Sequence, residues 1–183
     1  MHFTLSDLVT DITQNACEAG ADTVELEVRE SSREFRFQVS DNGRGMSAEE
    51  LKRASDPFVT DGIKHPGRKI GLGIPFLIQT AEQSGGGCNV QSEKGTGTTT
   101  SAWFDMTNVD TPPVGDVAGM FRTVLMFEGR QDILIHRSLE KENCGPMEYE
   151  VRKSELVDAL GSLEDTEALV LLDKYLRSLE END

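Results

Sequence analysis

"LVTDITQNACEAGAD" (residues 8–22) is the stretch from which the fold can be read. With the residues just before it, Leu5, Leu8, Val9, Ile12, Ala16 and Ala19 recur at intervals of three and four, so the spacing predicts an amphipathic helix with one buried face. The opposite face lines up Asp11, Asn15 and Glu18. Asp11 and Asn15 are four residues apart, which puts their side chains about 5–6 Å apart on adjacent turns, where both can reach one ligand. Glu18 is the weakest of the three, since an exposed helix glutamate needs no function.

Working outward, "TVELEVRE" (23–30) and "REFRFQVS" (33–40) alternate apolar and polar residues and read as a hairpin of half-buried strands. The second strand runs into "DNGRGM" (41–46), where Gly43 and Gly45 allow positive φ and close backbone approach. "SAEELKRA" begins a short helix with Ser47 as N-cap and Glu50 completing a capping box. "DPFVTDGIKHPGRK" (56–69) is rich in Pro, Gly and charge and reads as a mobile loop. "IGLGIPFLIQTAEQSGGG" follows as a glycine-rich turn opening a helix that stops at Gly85 to Gly87. "CNVQSE" and "TGTTTSAWFDM" read as two further strands joined through "KGTG".

The two prolines and the glycine of "NVDTPPVGD" (108–116) break the pattern. The expected organisation is therefore a unit at 1–106, a Pro/Gly linker at 107–116 and an α+β extension at 117–183, which can pack as part of the same domain. In that extension "FRTVLMF" (121–127) and "DILIHRS" (132–138) are expected to pair as a hairpin, "YEV" to add a strand, and "SELVDALG" and "TEALVLLDKYLRSLEE" to be helical.

The formal net charge of −15, from 33 acidic against 18 basic residues, argues against a nucleic-acid or anionic-membrane partner. An anionic ligand would need a local cationic exception. Cys17, Cys88 and Cys144 are widely separated, so neither a disulfide framework nor a zinc site is expected. Without a leader pattern or a long apolar run, a cytoplasmic location is expected.

Taken in order, "DxxxNACEAGA", "DNGRGM", "GLGIP" and "GTGTT" resemble the GHKL ATPase superfamily, over roughly residues 4–104. The superfamily includes histidine-kinase catalytic domains, anti-sigma-factor serine kinases, type II topoisomerases, mismatch-repair ATPases and heat-shock chaperones. "FTLSDLVTDITQNACEAGAD", "SDPFVTD" and "RKIGLGIPFL" further resemble small stand-alone bacterial ATP-binding proteins of this group, some of which occur beside hydrogenase or electron-transfer subunits. The resemblance implies an α/β two-layer sandwich with helices on one face of a mixed sheet, and ATP with Mg²⁺ as ligands.

Residue by residue, the resemblance implies Asn15 as the Mg²⁺ ligand and Asp41 as acceptor of the adenine amino group. Gly43, Gly45 and Met46 would line the base, and Thr98 would help bind it. Gly71, Leu72 and Gly73 would receive phosphates at a helix N-terminus, where free N–H groups and the helix dipole favour anions. Lys64, Arg68 and Lys69 are the local basic exception that the acidic chain requires.

The pattern departs from the hydrolysing and serine-phosphorylating members at one place. They carry Glu four residues before the Asn, as general base; here the residue is Asp11, shorter by one methylene, ~1.5 Å. A base must come within about 2.6–3.2 Å of its proton. His2, His65 and His136 lack the acidic context of a phosphoacceptor histidine, and the chain begins at the nucleotide helix, so a complete sensor histidine kinase is not expected. Two functions follow: an Mg²⁺-dependent ATPase or protein kinase acting on a separate partner, or a non-catalytic ATP/ADP sensor with a nucleotide-dependent lid.

Overall fold

A computed structural model describes residues 3–56, 73–140, 145–163 and 165–181. The sequence-predicted lid and its basic residues therefore lie outside the described residues, as do Gly71 and Leu72.

Helix α1 (Leu5–Glu18) begins at Thr4, whose hydroxyl accepts from the Asp7 N–H while Asp7 reaches back to the Thr4 N–H. This reciprocal capping satisfies two N–H groups that no helix carbonyl can reach. Strands β1 (Thr23–Glu30) and β2 (Glu34–Asp41) form the expected antiparallel hairpin. Helix α2 (Ala48–Ser55) starts at Ser47 with Glu50 closing the capping box, and α3 (Gly73–Gln83) is followed by β3 (Gly87–Glu93) and β4 (Gly97–Asp105).

One expectation fails. Residues 121–127 are not a strand: they lie in and just beyond helix α4 (Val117–Leu125). Val117, Ala118, Met120, Phe121, Val124 and Leu125 are buried at helical spacing, and the stripe shows only when it is followed from residue 117. Asp116 caps this helix by accepting the Gly119 N–H at 3.0 Å. The window "FRTVLMF" cut that period in half, leaving a short apolar run that a strand and a helix share. Strand β5 (Asp132–Leu139) consequently has no hairpin partner before it; it pairs parallel with β1 and antiparallel with β6 (Met147–Arg152). Helices α5 (Lys153–Leu160) and α6 (Thr166–Glu180) follow as expected.

The result is a mixed six-stranded sheet in the order β3-β4-β2-β1-β5-β6. Its inner face carries Leu26, Phe37, Phe104 and Ile135, all essentially inaccessible to water, under α1, α3 and α4. Period-two alternation sends Glu25, Arg36, Gln38 and His136 to the opposite face. The sheet is thus polar on one side and covered by helices on the other, an α/β two-layer arrangement.

The residues after 106 are tied into this sheet. The Leu5 and Ser6 N–H groups donate to the Pro113 and Val114 carbonyls, each at 2.9 Å, so the Pro/Gly segment runs back over the first turn of α1. Arg137, on the inner face of β5 with a side chain 1% exposed, donates to Glu30 and to Glu180 at the end of α6. The Tyr149 hydroxyl also donates to Glu180. This buried charge cluster holds the last helix to three strands.

Candidate functional site

Strand register places the first element of the site. Asp41, the last residue of β2, is the direct partner of Thr98 in β4, two residues beyond the Val39–Thr100 pair. Because side chains alternate, Asp41 and Thr98 share the inner face with Val39 and Thr100. These four form the floor of a cavity of about 220 Å³, and Ile12, Asn15 and Ala16 of α1 form one wall. Gly45, Met46, Ile74 of α3 and Ala54 of α2 also line it.

The "DNGRGM" loop is pinned at both ends. The Asn42 side-chain oxygen accepts the Asp22 and Thr23 N–H groups, both at 2.9 Å, fastening the loop to the start of β1. The Arg44 N–H donates to Ala19 at the end of α1, and its carbonyl accepts from Gly95 in the β3–β4 turn. Gly45 has φ +59°, and a Cβ there would run into the Glu93 carbonyl, so a side chain would be excluded by both backbone conformation and space. The Gly43 N–H donates to Asp41 Oδ1 at 2.8 Å.

Asp41 is half-buried against apolar neighbours. Burial raises its pKa above the ordinary carboxylate value, opposed by hydrogen bonds from the Gly43 and Thr98 backbones. The outcome is an oriented acceptor at the floor of the cavity.

Helix α3 comes close to α1 at its first residue. A Cβ on Gly73 would lie 3.3 Å from Asn15 Nδ2 and 4.0 Å from Asp11 Cβ, so the opening of α3 sits over the polar stripe of α1. Asn15 is at the cavity wall; Asp11, one turn earlier and exposed, is outside the lining. Glu18 lines the cavity and accepts a hydrogen bond from Gln14 at 2.8 Å.

The structure thus gathers Asn15, Asp41, Gly45, Met46 and Thr98 around one cavity, with Gly43 and Gly73 at its edge and Asp11 one turn away. Sequence reasoning missed Thr100, Val39 and Ser92. The first two follow from period-two alternation through Asp41 and Thr98. Ser92 had no such signal, because it stands beside Thr98 only through the β3–β4 pairing.

More than half of the chain, residues 3–108, matches the family model of the histidine kinase-, DNA gyrase B- and HSP90-like ATPases. The chain belongs to this family. Members bind ATP, usually with Mg²⁺, and the superfamily's activity is of ATPase or kinase type. Similar curated proteins include the DNA mismatch repair protein MutL of Microcystis aeruginosa, 42% identical over 60 residues (33% of this chain, 10% of that protein). MutL of Kosmotoga olearia is 44% identical over 57 residues, 31% of this chain and 9% of that protein. The sensor histidine kinase ZraS of Escherichia coli is 27% identical over 113 residues, 61% of this chain and 23% of that protein. The likeness to these relatives spans about a tenth to a quarter of their length. Among the described residues no helix is long and apolar enough to cross a membrane.

Proposed function

We propose that this ATPase-family chain binds Mg·ATP in the cavity between α1 and the β2–β4 floor, and that it hydrolyses ATP or transfers its phosphate to a separate protein. The observation that carries the reading is the Asp41–Thr98 pair facing an apolar cavity walled by Asn15. Asp41 accepts from the adenine amino group, and an ionised carboxylate offers only acceptors there. The base lies between Val39 and Met46, and the phosphates run along α1 towards Gly73 of α3, since the N-terminal end of a helix favours anions.

Asn15 is the protein ligand of the Mg²⁺. Its amide carbonyl would offer the ion a hard oxygen ligand of the kind Mg²⁺ takes. Held there, Mg²⁺ would supply neutralisation of developing phosphate charge. Asp11 is the base that orients water or an acceptor hydroxyl on the neighbouring turn.

The alternative, a sensor that binds ATP or ADP without turnover, is favoured by one observation: Asp11 lies outside the cavity lining and is a methylene shorter than glutamate. Calorimetric titration with Mg·ATP tests the binding reading, and phosphate release by the purified chain separates the two. Mass spectrometry of a candidate partner after incubation with Mg·ATP then separates kinase from ATPase. Absence of any ATP binding would overturn both readings.

A further inference from the structure

Ser92 of β3, Thr98 of β4 and Asp41 of β2 are direct partners in successive ladders, so the three stand in one row across three strands. The hydroxyl of Ser92 has one proton and two acceptor positions, and three groups surround it. The Met46 N–H donates to it at 2.8 Å, occupying one acceptor position. The Gly97 carbonyl, 3.1 Å away, can only accept, so it takes the single proton of Ser92. Thr98 Oγ1 lies 2.8 Å from Ser92 Oγ, a contact in which either hydroxyl could be the donor; with the Ser92 proton on the Gly97 carbonyl, Thr98 is the one that donates.

This arrangement spends the only proton of Thr98 on Ser92 and leaves lone pairs alone facing the cavity. The adjacent Asp41 carboxylate, when ionised, is likewise acceptor-only. Directly opposed residues of an antiparallel pair have Cβ atoms about 4.5–5.5 Å apart, so one ligand group can meet both. We propose that Ser92 is a positioning residue that sets base selectivity: it fixes Thr98 as an acceptor, so the row accepts a 6-amino purine and rejects a 6-oxo purine. A carbonyl at that position faces acceptors on both sides and leaves buried polar groups unpaired, a misfit that discriminates strongly. Without Ser92 the Thr98 hydroxyl is free to rotate and donate to an oxo group.

The proposal rests on the nucleotide reading above, and the experiment keeps the two apart. Calorimetry measures the affinities of Mg·ATP and Mg·ITP, which differ in the 6-position of the base, for wild type, Ser92→Ala and Ser92→Thr. Wild type is expected to prefer ATP; Ser92→Ala should narrow that preference roughly ten-fold, the scale of one misfitted buried hydrogen bond, and Ser92→Thr should retain it. Losing the Met46 contact alone would weaken both nucleotides together, so the ATP/ITP ratio is a readout that a purely structural serine does not move. An unchanged ratio in Ser92→Ala overturns the proposal while leaving ATP binding intact; wild type that binds neither nucleotide overturns the nucleotide reading and this proposal with it. Should Ser92→Ala not fold, Thr98→Val, which deletes the acceptor itself, must narrow the same ratio, and failure to do so overturns the proposal equally.

Discussion

Asp41 and Thr98 face each other across the β2–β4 ladder on the floor of a cavity walled by Ile12, Asn15 and Ala16 of α1. Two residues further into the sheet on each strand, Val39 and Thr100 are buried. The same alternation that builds the core therefore delivers a carboxylate and a hydroxyl to the cavity floor.

Asp41→Asn should weaken ATP binding with the fold intact, because the amide can turn a donor towards the adenine amino group. Calorimetric affinity together with a circular-dichroism melt checks this; unchanged affinity would remove Asp41 from the site.

The raised pKa of Asp41 predicts a pH dependence. Affinity for adenosine, which has no phosphate to titrate, should fall as pH drops through a midpoint above the ordinary carboxylate value of about 3.9. Protonation turns an acceptor into a donor. The effect on stability has the opposite direction, because the native state holds this proton more tightly than the unfolded chain: the contribution of Asp41 rises as pH falls through its folded pKa and is lost as pH rises through it. Asp41→Asn should abolish both dependences.

Asp11→Asn should leave nucleotide affinity near normal and cut turnover roughly 10²–10⁴-fold, the scale of general-base loss. Asn15→Ala should instead weaken Mg·ATP binding. Asp11→Glu restores the longer reach and should keep or raise turnover. A wild type without turnover, alone or with a partner, beside an active Asp11→Glu protein would favour the sensor; an Asp11→Asn protein as fast as wild type would end the catalytic role.

Arg137→Met should destabilise the chain by about 3–5 kcal/mol, since it leaves the carboxylates of Glu30 and Glu180 without their shared cation in a largely buried setting. Urea denaturation measures it. A loss of about 1 kcal/mol or less would put the cluster on the scale of a surface ion pair.

Thr123→Ala gives a sign test of helix α4, where Thr123 is exposed. Helix propensity predicts a gain of a few tenths of a kcal/mol, whereas an exposed strand threonine would lose stability on the same change. Phe121→Ala, in the fully buried stripe, should cost about 3–5 kcal/mol.

The legible parts of this protein were those written in local pattern. The period of α1, the alternation of β1 and β2, the Ser47–Glu50 capping box and the loop glycines each report a conformation set by residues a few positions apart. Part of the cavity lining was legible for the same reason, since Asn15, Asp41, Gly45 and Thr98 belong to short motifs with fixed spacing. Helix α4 was misread because a seven-residue apolar window carries no period of its own.

The sequence by itself determined the ATPase fold class, the helix face bearing Asp11 and Asn15, and the strand end bearing Asp41. Only the tertiary structure decided that β5 lies parallel beside β1, that Arg137 joins Glu30 to Glu180, and that the Ser92 and Thr98 hydroxyls meet at 2.8 Å. Those relationships join residues distant in the chain or depend on which strands pair. A parallel neighbour, a buried ion cluster and a hydroxyl row exist only once the strands have found their order, and no local periodicity encodes that order.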